Sequence, residues 1–279
     1  MNIRHAILSL GISGLAGCAS WQQFDGYLPT NPPANVIEAA RVPGFEKRFS
    51  SLELQLVEEF VANGNLGMKN DLSGTMRLQV SADGLTSEVS RLTWGQATDG
   101  KVRGVVDVQQ LSICGLQPLA RDLAGKSVLA DVKVAVSPVA VTTNSTDTIR
   151  TSLERLVVES LSGEAPKMCN PKPGTAYQFE VARQAQLRWS SIQNLRQHFV
   201  ARISCRVADS TVPASSVIPG LDGDAIEVKC KAKYANEGDH DSRFMHFRSL
   251  GIYLPIETSE PERGRTVYRY VKASINALR

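Results

Sequence analysis

The stretch TMRLQVSADGLTSEVSRLTWGQATDGKVRGVVDVQQL, residues 75–111, decides the fold. Apolar and polar side chains alternate along it with a period of two, which is typical of strands with one buried face. Asp83-Gly84 and Asp99-Gly100 interrupt the alternation, and Asp-Gly is a common turn pair in β-hairpins. The stretch therefore predicts an antiparallel meander of three strands, at Thr75–Ser81, Ser87–Trp94 and Val102–Leu111.

Similar alternation continues through the C-terminal part of the chain. Tyr177, Phe179 and Val181 alternate like a strand, whereas Ser190–Gln197 also fits a helix, so Ala176–Gln197 stays ambiguous. Beyond residue 111 we predict strands at Val128–Val136, Phe199–Val207, Ala225–Tyr234, Phe244–Leu254 and Thr266–Lys272.

Three segments have the apolar spacing of helices. Ser51–Ala62 places Leu52, Leu56 and Phe60 on one helical face, although the alternation of its leucines keeps a strand open. Thr148–Leu161 has the same spacing, and Gln117–Ala124 fits a short helix that ends at Gly125. The predicted fold class is α+β, with antiparallel β-sheets, a few packed helices and stabilising disulfides.

The chain before residue 18 has the features of an export signal. Arg4 precedes ten apolar residues, Ala6–Leu15, too few to span a bilayer that needs about 20. Leu15-Ala16-Gly17-Cys18 resembles the lipobox of bacterial lipoproteins. The resemblance implies that residues 1–17 are removed, that Cys18 is acylated, and that the lipid bilayer is a partner through this cysteine. Because Ala19 rather than Asp follows, it also implies the outer membrane, with the periplasmic face favoured over the cell surface.

The mature chain divides into a tether and two halves. Residues 18–45 contain four prolines and few apolar residues, which indicates a tether between lipid and domain. Three prolines and Cys169 in the stretch 163–174 suggest a boundary or a pinned loop. We therefore predict an α+β domain or half at 46–172 and a β-rich domain or half at 173–279.

Four further cysteines follow Cys18, and an even number in an exported chain indicates disulfides. Three connectivities are possible. Cys205 and Cys230 lie in predicted strands separated by a loop-like segment, so we predict local pairing of Cys205 with Cys230 and of Cys114 with Cys169.

Composition limits the partners. The net charge is only +3, but residues 171–279 carry 16 Lys and Arg against 11 Asp and Glu. This mild basic excess suits anionic envelope polymers, while the absence of a basic block and the export signal disfavour nucleic acid. Envelope proteins are the other expected partners.

A search for chemistry finds no complete motif. The segment from Ala120 to Gly125-Lys126-Ser127 approaches a phosphate-binding loop but lacks its first glycine. Asp239-His240-Asp241 with His246 lacks the spacing of a known metal site, and the third histidine of the mature chain, His198, stands apart. We therefore predict no catalytic residue, no cofactor and no metal.

These observations lead to three functional hypotheses. The first is an outer-membrane-anchored lipoprotein that acts as a non-catalytic binding or envelope-assembly protein. The second is an envelope hydrolase or wall-modifying enzyme with dispersed catalytic residues, which would require His198, His240 or His246 to cluster with serine and aspartate in a cleft. The third is an anion-binding module that uses the C-terminal arginines.

Overall fold

The computed structural model describes residues 22–23, 28–62, 69–96, 102–129, 148–189, 192–234, 238–260 and 264–278. Thirteen strands and one short α-helix, α1 (Ala34–Ala40), account for most of them. The strands are β1 (Gln22–Gln23), β2 (Ser51–Ala62), β3 (Lys69–Val80), β4 (Leu85–Gln96), β5 (Val102–Ile113), β6 (Gln117–Leu129), β7 (Thr148–Gly163), β8 (Ala176–Trp189), β9 (Ile192–Pro213), β10 (Asp224–Tyr234), β11 (His240–Phe247), β12 (Ile252–Glu260) and β13 (Gly264–Asn276).

Strands β2 to β13 form a closed barrel of twelve antiparallel strands. Each strand pairs with the next in the chain, and β13 pairs with β2 to complete the ring. The seam is long, since its register runs from Gly264 opposite Ala62 to Asn276 opposite Ser51. Pairing of β2 with β13 closes the ring, whereas the ladder between β12 and β13 is short and joins 257–260 to 264–267.

The α+β prediction is therefore wrong, because the structure is an all-β barrel. The predicted boundary near residue 172 falls between β7 and β8, which pair from Ser152 opposite Trp189 to Gly163 opposite Phe179.

Alternation along each strand divides the barrel wall into an apolar inner face and a polar outer face. On β2, Leu52, Leu54 and Leu56 are buried inside, while Glu53 and Gln55 are exposed outside. Outer charges pair across neighbouring strands, as in the 3.8 Å contact between Arg77 Nε and Glu53 Oε1. Burial of the inner face supplies the main favourable free energy of folding.

One end of the barrel, which we call the capped end, is covered by chain that precedes β2. Val36 and Ala40 of α1 pack in the same buried cluster as Leu116 and Tyr253, and the Val42 N–H donates to Asp83 O at 2.9 Å. Phe49 is fully buried just before β2 begins. The opposite end, where β8 passes into β9, is called the distal end.

The described residues before α1 contact the barrel wall, and we call 22–23 and 28–33 the strap. Gln22 and Gln23 pair with Arg196 and Leu195 near the distal start of β9. Leu28 is held between two strands, since its N–H donates to Gln186 Oε1 and its carbonyl accepts from Arg155 Nη1, both at 2.8 Å. Within the segment predicted to be a tether, Leu28, Val36 and Ala40 are therefore buried against the barrel.

The predicted helix at Ser51–Ala62 is wrong, because this segment is strand β2. The alternation of Leu52, Leu54 and Leu56 matches the inner face of the wall, and β13 and β3 pair with the strand on its two sides. A helix would satisfy its own hydrogen bonds and leave both neighbours without a partner.

The predicted helix at Thr148–Leu161 is also wrong and forms β7. Val157 and Val158 are both buried although they point to opposite faces, and α1 packs against this strand. A strand that is covered on both faces loses its strict alternation, which is why the apolar spacing resembled that of a helix.

The predicted short helix at Gln117–Ala124 lies within β6. Cys114 and Gly115 both have positive φ, at 47° and 79°, and the Leu116 N–H donates to Ile113 O at 2.8 Å. This is the geometry of a type I′ hairpin turn, so β5 and β6 are joined directly. Cys-Gly is an unusual pair for this turn, and the sequence pattern did not reveal it.

Most predicted strands are confirmed, including the three from the opening meander and that beginning at Tyr177. Phe244–Leu254, however, contains a turn at 248–251 that separates β11 from β12. Ile192–Gln197 belongs to β9 rather than to a helix. Of Val128–Val136, only Val128 and Leu129 lie in the described part of the chain, where they end β6.

Both predicted disulfides are confirmed. Cys205 and Cys230 are directly opposite each other on β9 and β10, with 4.0 Å between their Cα atoms. Cys114 and Cys169 link the β5–β6 turn to the segment between β7 and β8 at the capped end, with a Cα separation of 5.7 Å. Among the described residues, no helix is long and apolar enough to cross a bilayer.

Candidate functional site: the barrel lumen

The inside of the barrel contains a cavity of about 340 Å³. Much of its wall is aliphatic, contributed by the inner faces of β3 to β6. A cavity of this volume is large enough for a small organic molecule. Its aliphatic lining residues include Leu72, Met76, Leu78, Leu92, Val106 and Leu123.

Two carboxyl groups interrupt this apolar wall. Glu58 follows Leu56 on the inner face of β2, and Glu88 lies between Thr86 and Ser90 on the inner face of β4. Gln110 Nε2 donates to Glu88 Oε2 at 3.3 Å. The alternation that buries the leucines therefore brings both glutamates to the cavity.

Burial raises the pKa of both carboxyl groups. The pKa of Glu58 rises to about 7, mainly through loss of hydration and then through the charge of Glu88. The pKa of Glu88 also rises to about 7 through burial, although a hydrogen bond with Ser90 and the charge of Arg121 act in the opposite direction. Near neutral pH the pair therefore holds protons that exposed glutamates would have released.

A buried ion pair lies beside these carboxyl groups. Arg121 Nη2 is 2.6 Å from Glu154 Oε1, across the pairing of β6 with β7. Glu154 is only 4% exposed, and its second oxygen has no hydrogen-bond partner in the described part of the chain. Burial acts to lower the pKa of Arg121, but the charge and hydrogen bond of Glu154, together with the charges of Tyr268 and Glu88, hold that pKa above its ordinary value.

Tyrosines of β13 complete this side of the cavity. Tyr268 is directly opposite Glu58 in the strand register and lines the cavity. Burial and the charge of Glu58 raise the pKa of the Tyr268 hydroxyl, and a hydrogen bond with Thr258 opposes the shift. Tyr270 OH donates to Pro255 O at 2.8 Å. We call Glu58, Glu88, Arg121, Glu154 and Tyr268 the lumen charge cluster.

The wall formed by β8 to β10 has a different character. The Arg183 guanidinium lies 5.0 Å from the centre of the Tyr234 ring and 5.5 Å from that of Phe199. It also donates to Tyr234 OH at 2.6 Å. Aromatic faces stabilise a cation in this arrangement, so the Arg183 side chain is held against the wall.

The structure separates the three histidines that the sequence singled out. His198 is half exposed on the outside of β9, with Nε2 3.2 Å from Glu159 Oε2. His240 lines the cavity with its ring 4.7 Å from that of Tyr234. His246 lies six residues further along β11, roughly 20 Å away, buried against Tyr253. The three histidines therefore do not form one group. His240 shares the cavity wall with Asp241, Ser242 and Ser259, so the hydrolase hypothesis stays a prediction.

The remaining candidates from the sequence are the segment 125–127, Asp239 and Cys18. Gly125, Lys126 and Ser127 lie within strand β6, so this segment does not form a phosphate-binding loop. Asp239 is 2.9 Å from Lys231, in an ion pair beside the start of β11. Cys18 lies outside the described residues, so its acylation remains a prediction.

Two of the C-terminal arginines considered for anion binding contact carboxylates on the outer wall. Arg243 Nη1 is 3.1 Å from Glu257 Oε2, and Arg269 Nη2 is 3.0 Å from Glu59 Oε2. Tyr268 and Tyr270, which flank Arg269, point inward as strand alternation predicts.

Sequence reasoning missed the lumen charge cluster. The sequence pattern predicts a helix around Glu58, and the neighbouring residues do not indicate a lumen. Glu88 did lie in a correctly predicted strand, at a position of the buried phase between Thr86 and Ser90. A charged residue in the apolar phase of an alternating strand was the available signal, since charges are seldom buried without a reason.

Similarity to known proteins gives no indication of function for this chain, so the barrel lumen is the main evidence. Within the part of the chain that the structure describes, no group of three or more His, Cys, Asp or Glu side chains is arranged to hold a metal ion. Searches found no protein-family model, no curated protein and no solved structure that matches this chain.

Proposed function

We propose that this protein is an acylated envelope lipoprotein whose barrel binds a small amphipathic molecule in its lumen, without chemical conversion. The cavity of about 340 Å³ is the observation that carries the proposal. Aliphatic side chains supply much of the wall, and polar and charged groups from several strands also reach the cavity. This combination is characteristic of sites that bury an apolar body and orient a polar group.

The proposed location rests on the lipobox resemblance at Leu15–Cys18. Acylation of Cys18 would hold the barrel at the outer membrane, with the periplasmic face as the expected side. The two disulfides agree with an oxidising compartment. Replacement of Cys18 by Ser should release the protein from the membrane fraction, and unchanged membrane fractionation would refute the anchor.

Lumen binding can be tested with a neutral fluorescent probe. The full chain carrying Cys18→Ser, which needs no detergent, should bind N-phenyl-1-naphthylamine saturably, with the enhanced emission of an apolar environment. Ala201 lines the cavity and is 2% exposed, whereas the preceding residue, Val200, faces outward and is 39% exposed. Ala201→Phe fills part of the lumen, and Val200→Phe adds the same ring to the outside of the same strand.

The two variants make opposite predictions. Ala201→Phe should weaken probe binding about tenfold, equivalent to about 1.4 kcal/mol, and Val200→Phe should leave it unchanged. Near-UV circular dichroism of both variants checks that the barrel is folded. Absence of saturable binding to the parent chain, or equal binding by both folded variants, contradicts a lumen site.

A further inference from the structure

We infer that the lumen ligand is a cationic amphiphile, an apolar molecule bearing one protonated amine that pairs with the buried glutamates lining the cavity, Glu58 and Glu88. The inference rests on the proposed function and adds the chemical class of the ligand. It starts from the charge of the cluster, which contains three carboxyl groups, those of Glu58, Glu88 and Glu154, and the guanidinium of Arg121.

The protein's own guanidinium does not balance these carboxyl groups. Arg121 is committed to Glu154 at 2.6 Å, and it lowers the pKa values of Glu58 and Glu88 less than burial raises them. Arg183, which also lines the cavity, is held against Phe199 and Tyr234. The Glu58–Glu88 side of the cluster therefore has an excess of acidic groups.

Hydrogen bonds also leave acceptors on this side of the cavity. The described part of the chain shows no side-chain hydrogen bond to Glu58, whereas Glu88 accepts a hydrogen bond from Gln110 and is also hydrogen-bonded to Ser90. A protonated amine carries three N–H donors and no acceptor, so it supplies both the charge and the donors that this side lacks.

The rest of the cavity limits the apolar part of the ligand. Leu78 and Gln110 are directly opposite Glu88, and Leu72 is opposite Glu58. An ammonium at the carboxyl pair therefore has aliphatic side chains on the adjoining strands. Such a site fits a primary amine on a short alkyl or aryl body better than it fits a hydrated inorganic cation.

Ligand binding should then be coupled to proton release. Tyr268, Tyr270 and Arg121 are the charged or titratable groups that interact with the carboxyl pair, and His240, Asp241, Arg183 and Glu260 lie elsewhere around the cavity. Near pH 7 an incoming ammonium replaces the protons held by the pair. Amine affinity should therefore rise between pH 6 and pH 8, with net proton release on binding.

The test compares three molecules with the same chain length, n-octylamine, n-octanol and octanoate, as competitors of N-phenyl-1-naphthylamine on the Cys18→Ser chain. Octylamine should displace the probe at a concentration about tenfold lower than octanol, and octanoate should be the weakest. Calorimetry in buffers of different ionisation enthalpy should detect protons released by the amine and none released by the alcohol.

Variants separate this inference from lumen binding itself. The double variant Glu58→Gln with Glu88→Gln should weaken octylamine about tenfold and abolish proton release, while octanol is unaffected. Glu53→Gln, on the outer face of β2, should change neither value. Equal affinity for all three competitors would overturn the cationic ligand but leave the lumen site standing. No probe binding at all would refute the proposed function itself, and displacement by CaCl₂ as readily as by octylamine would replace the amine with an inorganic cation.

Discussion

Arg121 and Glu154 form an ion pair of 2.6 Å inside the barrel, while Arg155 and Asp122 form a second pair of 2.6 Å on the outer wall of the same two strands. The neighbouring positions thus carry matched pairs on opposite faces of the β6–β7 ladder. Comparison of the two pairs isolates the effect of the interior on a charge.

Arg121→Met should destabilise the barrel by about 3–5 kcal/mol, because it leaves Glu154 buried without its cation. Arg155→Met should cost less than half of that, since Asp122 is 28% exposed and keeps access to water. Adding Glu154→Leu to Arg121→Met should restore most of the loss. Urea denaturation at pH 7 measures all four chains, and equal losses from the two arginine variants would contradict the assigned burial.

The carboxyl pair should make stability fall as pH rises. An unfolded glutamate titrates near 4.5, and both Glu58 and Glu88 titrate at about 7 in the folded chain. The folded state therefore binds more protons between pH 4.5 and 7, and the free energy of unfolding decreases through that window by on the order of 3 kcal/mol per group. Glu58→Gln with Glu88→Gln should remove this slope. Urea midpoints measured from pH 4.5 to 7.5 provide the check, and an unchanged slope in the double variant contradicts the prediction.

His246 should have the opposite effect on the pH dependence of the free energy of unfolding, over nearly the same pH range. Burial lowers its pKa from 6.5 to about 4, so the unfolded chain binds the extra proton and stability falls as pH decreases from 6.5 to 4. The histidine and the glutamates therefore partly cancel in the parent chain. His246→Phe, which keeps a ring against Tyr253, should expose the full slope of the carboxyl pair. A parent and a His246→Phe chain with parallel pH profiles would show that His246 is not buried in its neutral form.

The two disulfides should differ in their contribution to stability. The pairs Cys114–Cys169 and Cys205–Cys230 close loops of 55 and 25 residues. Loop entropy gives about 4 kcal/mol for the first and about 3.5 kcal/mol for the second. Alanine replacement of both cysteines of one pair at a time, followed by thermal denaturation, should show the larger loss for Cys114–Cys169. The reverse order would mean that strand pairing, rather than loop closure, governs the effect.

Gly115→Ala should reduce stability by more than the positive φ of Gly115 alone explains. Gly115 and Gly220 have nearly the same φ, 79° and 78°, but a Cβ at Gly115 would lie 2.4 Å from the backbone oxygen of Tyr253, whereas one at Gly220 meets nothing within 4 Å. Gly220→Ala should therefore cost about 1 kcal/mol from the left-handed backbone. Gly115→Ala should cost at least about twice that, as judged by urea denaturation, because its clash is with backbone. Equal costs would indicate that the β5–β6 turn moves freely away from β12.

Local patterns identified those parts of the fold that depend on neighbours in sequence. The alternation in 75–111 and the Asp83-Gly84 turn predicted the meander, because both are properties of a hairpin. Pairing of β2 with β13 joins residues more than 200 positions apart, and neither segment contains a local pattern that indicates the other. The local pattern therefore predicts a helix over Ser51–Ala62, because its strand character depends on pairing with β13 and β3.

The contacts around the lumen could likewise be predicted only where they join strands that are consecutive in the chain. Cys205 and Cys230 were paired correctly because their strands are consecutive in the barrel. Glu58 and Arg121, by contrast, interact only because β2 and β6 curve around one cavity. A site built across a barrel comes from strands far apart in the chain, so residue spacing carries little information about it.

The strap fixes which end of the barrel an anchored chain would turn towards the membrane. Gln22 pairs with Arg196 near the distal end, Leu28 is clasped halfway along the wall, and α1 reaches the capped end. Four residues extend at most about 14 Å, so an acyl group attached to Cys18 would be tied to within that distance of the β1–β9 pairing. An anchored barrel would thus stand on the bilayer with its capped end outermost, and a ligand travelling between bilayer and lumen would have the shorter route through the membrane-proximal rim.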